Sequence, residues 1–357
     1  MNIYRRSLLG GAAGLALGAL TPGFAQNKMQ NIKFTLTWVP LGGFAHIFVS
    51  KRLGFWEKRG INVTIDRGFG SSEVCKTVGL GQYDFGMIDM AVMMNCRGHG
   101  LDLSAIGVIS PNSPVGIFSL AKTGIKSPKD LEGKTISFSS GSGDYLLWPA
   151  FVKSTQIDDS KVKKVFTDPA SHLKLLLEGK VDAVGNYYAS VAPTIWAQGG
   201  EVNTLLYHSY GLPMYSLAFT TLTKTINSDP DLCQRFIDGA MEGLAYTLLH
   251  PEESTDIHLE MVKEYQGVPS NRDAVKYGIL VNNAMAIASE IETNGFGFMD
   301  PAMVEKTRQT VIDYMGAASL PPAENLVNNT FSGRIKLTPE QWAKAHEIAA
   351  PYIPKKV

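Results

Sequence analysis

Residues 38–90 read WVPLGGFAHIFVSKRLGFWEKRGINVTIDRGFGSSEVCKTVGLGQYDFGMIDM. Together with the β-rich residues before it, this segment predicts five elements in the order strand, helix, strand, helix, strand, at residues 32–38, 44–53, 61–66, 71–80 and 85–88. Strands that alternate with helices predict a parallel sheet, and ligands of open parallel sheets bind beyond the carboxyl ends of the strands. We therefore expect the loops after these three strands to form one side of a ligand cleft.

The same pattern restarts after residue 121, which predicts a second lobe. Residues 135–139 form a candidate strand, and SGSGDY at residues 140–145 opens a candidate helix, as GFGSS does at residues 68–72. Each lobe would thus present a Gly/Ser loop and the amino end of a helix. Beyond residue 221 the pattern is helical. The predicted fold class is α/β, with two lobes and a helical C-terminal extension.

No low-complexity linker separates the lobes, so we expect the chain to cross between them within its strands. Residues 115–121 and 216–221 are the candidate crossings, and a two-strand hinge of this kind lets two lobes close on a ligand. The predicted boundaries are residues 30–118 with 220–340 for lobe 1, 119–219 for lobe 2 and 341–357 for a C-terminal helix.

Two kinds of group are candidates for ligand contact. Backbone amides at the amino ends of helices carry partial positive charge, so the loops at residues 70–72 and 140–143 could hold a polar or anionic group. Aromatic side chains could hold a flat ring. We therefore predict a small aromatic or heterocyclic ligand with a polar or anionic substituent. The candidate ligand-binding residues are Trp38, Phe44, His46, Gly70, Ser71, Ser72, Asp89, Asn112, Ser140, Gly141, Ser142, Gly143, Asp144, Tyr145, Trp148, Asn186, Tyr187 and Tyr188.

Several of these residues have a purely structural alternative. A Gly/Ser loop before a helix is often a turn, in which Ser71 or Ser72 would cap the helix, and Trp148 could belong to the core. Asp89 either faces the ligand or caps the helix that follows it. His46 is equally explained as a buried polar residue.

Residues 1–25 have the pattern of an export segment and are not expected to join the fold. Arg5 and Arg6 precede an apolar run at residues 8–20 that is too short to span a bilayer, and the small residues at its end fit cleavage after Ala25. The paired arginines resemble a twin-arginine signal, and general secretion fits the same pattern. Both routes predict a periplasmic protein.

Composition narrows the function further. The chain has 357 residues and 45% hydrophobic content, enough for two domains. Its 33 basic and 33 acidic residues balance, so neither nucleic acid nor an anionic membrane surface is an expected partner. Cys75, Cys96 and Cys233 lack metal-ligand spacing and are expected to be buried thiols, with one disulfide as the alternative. No nucleophilic triad, Walker loop or metal spacing stands out, so we expect no enzyme activity, no cofactor and no metal.

Five motifs resemble those of a known family. They are Trp38-x-Pro40, LGFWEKRGINV at residues 53–63, GQYDFG at 81–86, LEGKTI at 131–136 and LLEGKVDA at 176–183. In this order they resemble the periplasmic solute-binding proteins of the nitrate, taurine, alkanesulfonate and thiamine-pyrimidine-precursor group. The resemblance implies the two-lobed periplasmic binding protein fold of type II and a monomer that holds a small-molecule ligand between its lobes. It also implies delivery to an inner-membrane ABC permease and its ATPase.

The first loop departs from the pyrimidine-precursor branch of this family. That branch, and the fungal pyrimidine synthases similar to it, carry Asn and then His in this loop, where Leu41 and Phe44 stand here and His46 follows two residues later. The departure puts both a pyrimidine ligand and the synthase chemistry in doubt. Two alternatives to an importer subunit are kept: a synthase-like enzyme, and a periplasmic sensor subunit that presents its ligand to a membrane receptor.

Overall fold

The computed structural model describes residues 29–168, 171–265, 270–317 and 319–354, so the predicted export segment lies outside the described residues. The strands are β1 (Gln30–Thr35), β2 (Ile61–Asp66), β3 (Phe85–Asp89), β4 (Leu103–Val108), β5 (Val115–Leu120), β6 (Thr135–Phe138), β7 (Lys163–Phe166), β8 (Ala183–Tyr187), β9 (Val202–Leu206) and β10 (Leu217–Leu222). The helices are α1 (Ala45–Arg52), α2 (Ser71–Gly79), α3 (Met90–Gly98), α4 (Gly143–Leu146), α5 (Trp148–Thr155), α6 (His172–Leu177), α7 (Tyr188–Ala197), α8 (Thr223–Ser228), α9 (Pro230–Leu249), α10 (Pro251–Met261), α11 (Ser270–Ala286), α12 (Ser289–Asn294), α13 (Pro301–Tyr314) and α14 (Pro339–Ala349).

Two five-stranded sheets form the two lobes. The first has the order β2-β1-β3-β10-β4, in which β1 pairs in parallel with β2 and β3 while β10 runs antiparallel to β3 and β4. The second has the order β7-β6-β8-β5-β9, in which β6 is parallel to β7 and β8 while β5 is antiparallel to β8 and β9. The predicted two-lobed α/β fold is therefore confirmed, because each lobe repeats the same parallel unit with one returning strand.

The chain crosses between the lobes in loops and not within strands. We predicted residues 115–121 and 216–221 as the crossings, but β5 lies wholly in the second sheet and β10 wholly in the first. The connecting segments are those between β4 and β5 and between β9 and β10, and they are hydrogen-bonded to each other through Ser216 N and Ser110 O at 3.1 Å. The prediction was wrong because an apolar strand carries no feature that tells which sheet it will join.

An aromatic cluster anchors the first sheet to the C-terminal helices. The ring of Phe236 in α9 stacks on Phe85 of β3 with centroids 4.0 Å apart and on Trp56 with centroids 5.6 Å apart. Trp56 is 1% exposed and donates its indole N–H to the carbonyl of Phe236 at 2.8 Å. Burial of each such side chain stabilises the fold by about 1.5–3 kcal/mol. The cluster fixes β3, and thereby fixes Asp89 at the end of that strand.

The helical C-terminal part of the chain contacts both lobes. α9 packs against α1 of the first lobe, whereas α11 packs against α7 of the second. α11 also lies against the helical turn Gly42–Phe44 of the first lobe. A Cβ at Gly278 of α11 would come within 3.0 Å of the backbone nitrogen of Gly43, so the two segments approach closely there. α11 therefore bridges the lobes.

Candidate functional site

A narrow cleft lies between the two lobes, where loops follow the carboxyl ends of the parallel strands. Its cavity volume is only about 40 Å³, so the walls lie close together in this closed arrangement. The narrowness favours a flat ligand. The lining residues are Thr37, Trp38, Leu41, Gly43, Phe44, Gly70, Ser71, Ser110, Pro114, Ser139, Ser142, Asp144, His172, Gly185, Asn186, Tyr187, Ala189, Ser190, Leu217, Asn282 and Met285.

Two loops of the first lobe are hydrogen-bonded together on one side of the cleft. The N–H of Gly70 donates to the carbonyl of Thr37 at 2.9 Å, and the N–H of Gly68 donates to the carbonyl of Trp38 at 3.1 Å. A Cβ at Gly68 would lie 2.0 Å from a backbone oxygen of the first loop, so only glycine permits this approach. β1 therefore ends before the predicted residue 38, and the loop that follows carries Trp38 and Phe44 into the lining.

Ser71 joins three elements of this wall. Its hydroxyl oxygen lies 3.0 Å from the hydroxyl of Thr37 and accepts the backbone N–H of Asp89 at 3.1 Å. The N-cap residue of α2 is Gly70, with φ of 110°, and no side chain caps this helix. The prediction that Ser71 or Ser72 caps α2 was wrong, because Ser71 is the first residue of the helix and its hydroxyl is used by the neighbouring strands.

Asp89 is buried behind the same wall. Its Oδ1 accepts the backbone N–H groups of Ala91 and Val92 at 3.0 and 3.4 Å, which caps α3. Its Oδ2 accepts the hydroxyls of Ser216 at 2.7 Å and Tyr187 at 3.3 Å. Burial raises the pKa of Asp89, and these hydrogen bonds oppose the rise. Of the two predicted roles, the structure supports the cap, since both carboxylate oxygens bond within the protein.

Asp144 is the acidic side chain that lines the cleft from the second lobe. The hydroxyl of Ser142 donates to its Oδ1, and the hydroxyl of Tyr207 donates to its backbone carbonyl at 2.9 Å. Its Oδ2 has no hydrogen-bond partner among the described residues, although the residue is only 1% exposed. Burial raises the pKa of Asp144 to about 6, with a further rise from the charge of Asp89 and an opposing effect of the Ser142 hydrogen bond.

Several lining residues were not predicted from the sequence. His172 of α6 places its Nε2 3.1 Å from the hydroxyl of Ser139, and burial lowers its pKa, so the imidazole is neutral at pH 7. Asn282 and Met285 of α11 add a third wall to the cleft. No local pattern identifies these residues, because their segments meet the cleft only through tertiary packing.

Two hydrogen bonds join the lobes across the cleft. The hydroxyl of Ser72 donates to the carbonyl of Gly141 at 2.8 Å, and the hydroxyl of Tyr187 donates to Asp89 at 3.3 Å. Burial, with the nearby carboxylates, raises the pKa of Tyr187 well above its ordinary value, so this hydroxyl remains a donor. The lobes are thus in direct contact, in a closed arrangement.

Three predicted aromatic residues pack within the second lobe and outside the cleft lining. Trp148 is 2% exposed and donates its indole N–H to Asp159 at 2.7 Å. Tyr188 is 5% exposed and stacks on Phe118. Tyr145 is half-buried and packs against the rings of Phe138 and Phe166. The core alternative stated for Trp148 therefore applies to Trp148 and also to Tyr188.

The remaining predicted residues divide between the lining and its surroundings. His46 is 2% exposed, neither ring nitrogen has a hydrogen-bond partner among the described residues, and burial lowers its pKa to about 3. Asn112 donates its amide to the carbonyl of Ile287 at 3.0 Å. Also outside the lining are Ser72, Asp89, Ser140, Gly141 and Gly143. Inside it are Trp38, Phe44, Gly70, Ser71, Ser142, Asp144, Asn186 and Tyr187.

A family model described as "NMT1/THI5 like" matches residues 42–254, which is more than half of the chain. The chain belongs to the NMT1/THI5-like family. This confirms the resemblance drawn from the motifs. The matched region begins in the first cleft loop after β1, contains strands β2 to β10, and ends within α10, before α11.

Two relatives of this NMT1/THI5-like chain are named for different activities. The riboflavin-binding protein RibY of Chloroflexus aurantiacus is 25% identical over 251 residues, covering 68% of this chain and 69% of that protein. The 4-amino-5-hydroxymethyl-2-methylpyrimidine phosphate synthase of Legionella pneumophila is 25% identical over 243 residues, covering 64% of this chain and 72% of that enzyme. Membership of the NMT1/THI5-like family is therefore compatible with binding and with catalysis.

Solved structures agree with the fold. The alkanesulfonate-binding protein SsuA from Xanthomonas axonopodis pv. citri, bound to MOPS, superposes with a TM-score of 0.63 at 13% identity. The superposition covers 84% of this chain and 98% of SsuA. At this identity the similarity establishes the periplasmic binding protein fold of the NMT1/THI5-like chain and carries no information about its ligand.

In the described part of this NMT1/THI5-like protein, no three His, Cys, Asp or Glu side chains are grouped so that they could hold a metal ion. Cys75, Cys96 and Cys233 are free thiols. No helix in the described ranges has both the length and the apolar character needed to cross a bilayer.

Proposed function

We propose that this protein is the extracytoplasmic solute-binding component of an ABC-type importer and captures a small, flat aromatic or heterocyclic compound between its lobes. One observation carries the proposal: Trp38 and Phe44 of the first lobe and Tyr187 of the second line the same narrow cleft. A flat ring held between aromatic side chains gains both apolar burial and ring contacts. Because the two walls belong to different lobes, such a ligand would favour the closed arrangement.

The charged groups in and near the cleft indicate which charge the ligand can carry. Asp144 lines the cleft and Asp89 lies close behind it, whereas no lysine or arginine is among the lining residues that the structure describes. Two carboxyl groups disfavour an anion through electrostatic repulsion. We therefore propose a neutral or cationic ligand, which revises the polar or anionic substituent expected from the helix amino ends.

The proposed role requires an exported protein. The pattern of residues 1–25 supports cleavage after Ala25 and a periplasmic location. The proposed partners are the small-molecule ligand and an inner-membrane permease with its ATPase, and the proposed functional state is a monomer. We place the hinge in the segments 109–114 and 207–216, and the lobe boundaries move there from the positions expected from the sequence.

A second candidate is a pyrimidine-synthase-like enzyme, which the name of the Legionella relative favours. That chemistry would need a reactive histidine and a lysine at the ring. His172 lines the cleft, but its Nε2 is engaged with Ser139, and the described lining contains no lysine. These observations support binding over catalysis. A sensor subunit would use the same cleft and differ only in the membrane protein it meets.

Ligand-dependent stabilisation tests the proposal. Protein lacking residues 1–25 is mixed with riboflavin, 4-amino-2-methylpyrimidine, taurine, nitrate or an aryl sulfonate, and its thermal unfolding is followed. A ligand at 100 times its Kd adds about 2.7 kcal/mol to the free energy of unfolding. We expect this for a flat heterocycle, with fluorescence quenching that disappears in Trp38→Phe.

Chromatography of the same mixtures distinguishes the candidates. A binding protein returns its ligand chemically unchanged after prolonged incubation. Release of a new compound in amounts exceeding a control without protein would establish the enzyme instead. Reconstitution with a candidate permease and ATPase then separates an importer subunit from a sensor, because ligand-dependent stimulation of ATP hydrolysis is expected for the importer alone.

A further inference from the structure

We propose that Oδ2 of Asp144 recognises the ligand by accepting a hydrogen bond from a ring N–H or an exocyclic amino group of a nitrogen heteroaromatic compound. This inference rests on the proposed binding function and names the class of compound that the cleft selects. It assigns Asp144 as the residue that determines specificity. The aromatic walls would hold many flat rings, so a directional polar contact is needed to choose among them.

The hydrogen-bond arrangement around Asp144 leaves one oxygen for this role. Oδ1 accepts from Ser142, and the backbone carbonyl accepts from Tyr207, so the side chain is held in place from two directions. Oδ2 is buried and has no partner among the described residues. A buried carboxylate oxygen without a donor is costly, and a ligand that supplies the donor recovers that cost on binding.

The backbone beside Oδ2 leaves no room for a side chain, which allows the carboxylate to occupy its position. Gly185 lies on β8 beside the carboxyl group, and a Cβ at this position would come within 2.7 Å of Oδ2. The same Cβ would lie 2.5 Å from the ring of Phe138. Any other residue would therefore crowd the carboxylate, and both Asp144 and Gly185 belong to the cleft lining.

The charged and titratable groups that face Asp144 favour a ligand that brings a hydrogen-bond donor over one that brings an acceptor. Asp89 lies across the cleft, and Tyr187 directs its hydroxyl to Asp89 and not to Asp144. Tyr207 is committed to the backbone carbonyl. A ligand acceptor would meet a carboxylate oxygen and be repelled, whereas an N–H group, neutral or protonated, would be stabilised.

Matched ligand pairs test the inference on the unaltered protein. Binding of 4-amino-2-methylpyrimidine is compared with that of its 4-dimethylamino derivative, and binding of lumichrome with that of its N,N′-dimethyl derivative, by calorimetry at pH 7.5. We expect the donor-bearing member of at least one pair to bind roughly 10- to 100-fold more tightly, which is the effect of a hydrogen bond to a charged group.

Variants test whether Asp144 is the residue that distinguishes the two members of a ligand pair. Asp144→Asn should remove most of the difference within the pair, while Asp182→Asn should retain it, because Asp182 accepts the backbone N–H of Thr135 outside the cleft. Equal affinity within both pairs, or discrimination unchanged in Asp144→Asn, would overturn the inference and leave the proposed function intact. Failure of every compound to bind, or turnover of any, would overturn both. Should Asp144→Asn not fold, the ligand pairs decide alone.

Discussion

Tyr187 of the second lobe donates its hydroxyl to Oδ2 of Asp89 in the first lobe across 3.3 Å. The acceptor is fixed from behind, because Ser216 donates to the same oxygen and Oδ1 caps α3. The donor is fixed as well, since Tyr187 closes β8 immediately before α7. The contact can form only when the lobes are together, so it reports on closure and contributes to it.

Removing this hydroxyl should weaken the closed state. In Tyr187→Phe we expect ligand affinity to fall roughly five-fold, because one hydrogen bond of about 1 kcal/mol is lost from the closed state alone. Calorimetry gives the affinity and small-angle scattering gives the degree of opening. Tyr145→Phe is the matched control, since that half-buried ring packs against Phe138 in the same lobe outside the cleft. An unchanged affinity in Tyr187→Phe would contradict the role of the contact.

Asp144 should make the stability of the ligand-free protein depend on pH. Its folded-state pKa of about 6 lies above the ordinary value of 3.8, so between these pH values the folded protein holds a proton on Asp144 that the unfolded chain has lost. The free energy of unfolding therefore falls as the pH rises from about 4 to about 6. Above pH 6 the ionised carboxylate lowers it by up to about 3 kcal/mol. Asp144→Asn should exceed the wild type in stability at pH 7.5 by up to that amount and lose the advantage at pH 4. Urea unfolding at both values measures the difference; a pH-independent difference would refute it.

The buried histidines should destabilise the protein in acid. Burial lowers the pKa of His46 to about 3 and that of His258 to about 4, below the ordinary 6.5. Protons therefore bind the unfolded chain preferentially below pH 6.5, and stability falls as the pH drops from there toward 4. His46→Leu should remove about 2 to 3 kcal/mol of the loss at pH 4.5. Urea unfolding at pH 7.5 and pH 4.5 measures the loss, and a loss in His46→Leu as large as in the wild type would contradict this assignment.

Substitutions at two adjacent residues of α11 should have different effects, one on ligand affinity and the other on the free energy of unfolding. Asn282 lines the cleft, whereas Asn283 donates to the backbone carbonyl of Thr247 at 2.8 Å on the buried side of the helix. Asn282→Ala should reduce ligand affinity with little effect on the unfolding midpoint. Asn283→Ala should leave a buried carbonyl unpaired and cost about 1–3 kcal/mol of stability. The reverse pattern, measured by calorimetry and by thermal unfolding, would remove α11 from the proposed site.

The fold was predictable because its signals are local. The strand and helix periods of residues 38–90 and their repetition after residue 121 depend on neighbouring residues only, and β2, α2 and β3 begin and end close to the predicted positions. The pairing partners of β5 and β10 are not local. Nothing in an apolar strand distinguishes a crossing from a central position, and this is where the hinge prediction failed.

The site was predictable only in part, for a geometric reason. Tyr187 and Tyr188 are adjacent in sequence, yet the first lines the cleft and the second stacks in the core on Phe118. An aromatic residue near a strand end is identifiable from sequence, but its direction depends on where the strand stops and the helix starts. His172 and Asn282 were missed because only the folded chain brings their helices to the loops of the first lobe.

The wall contributed by α11 lies beyond residue 254, where the family match stops. The contacts that the cleft offers to a ligand therefore come partly from the matched region and partly from a helix outside it. Substitutions at the cleft-facing residues of α11 would change these contacts without altering either sheet. A ligand inferred from the matched region alone would leave out Asn282 and Met285, and exchange of α11 between relatives would measure how far this helix determines the bound compound.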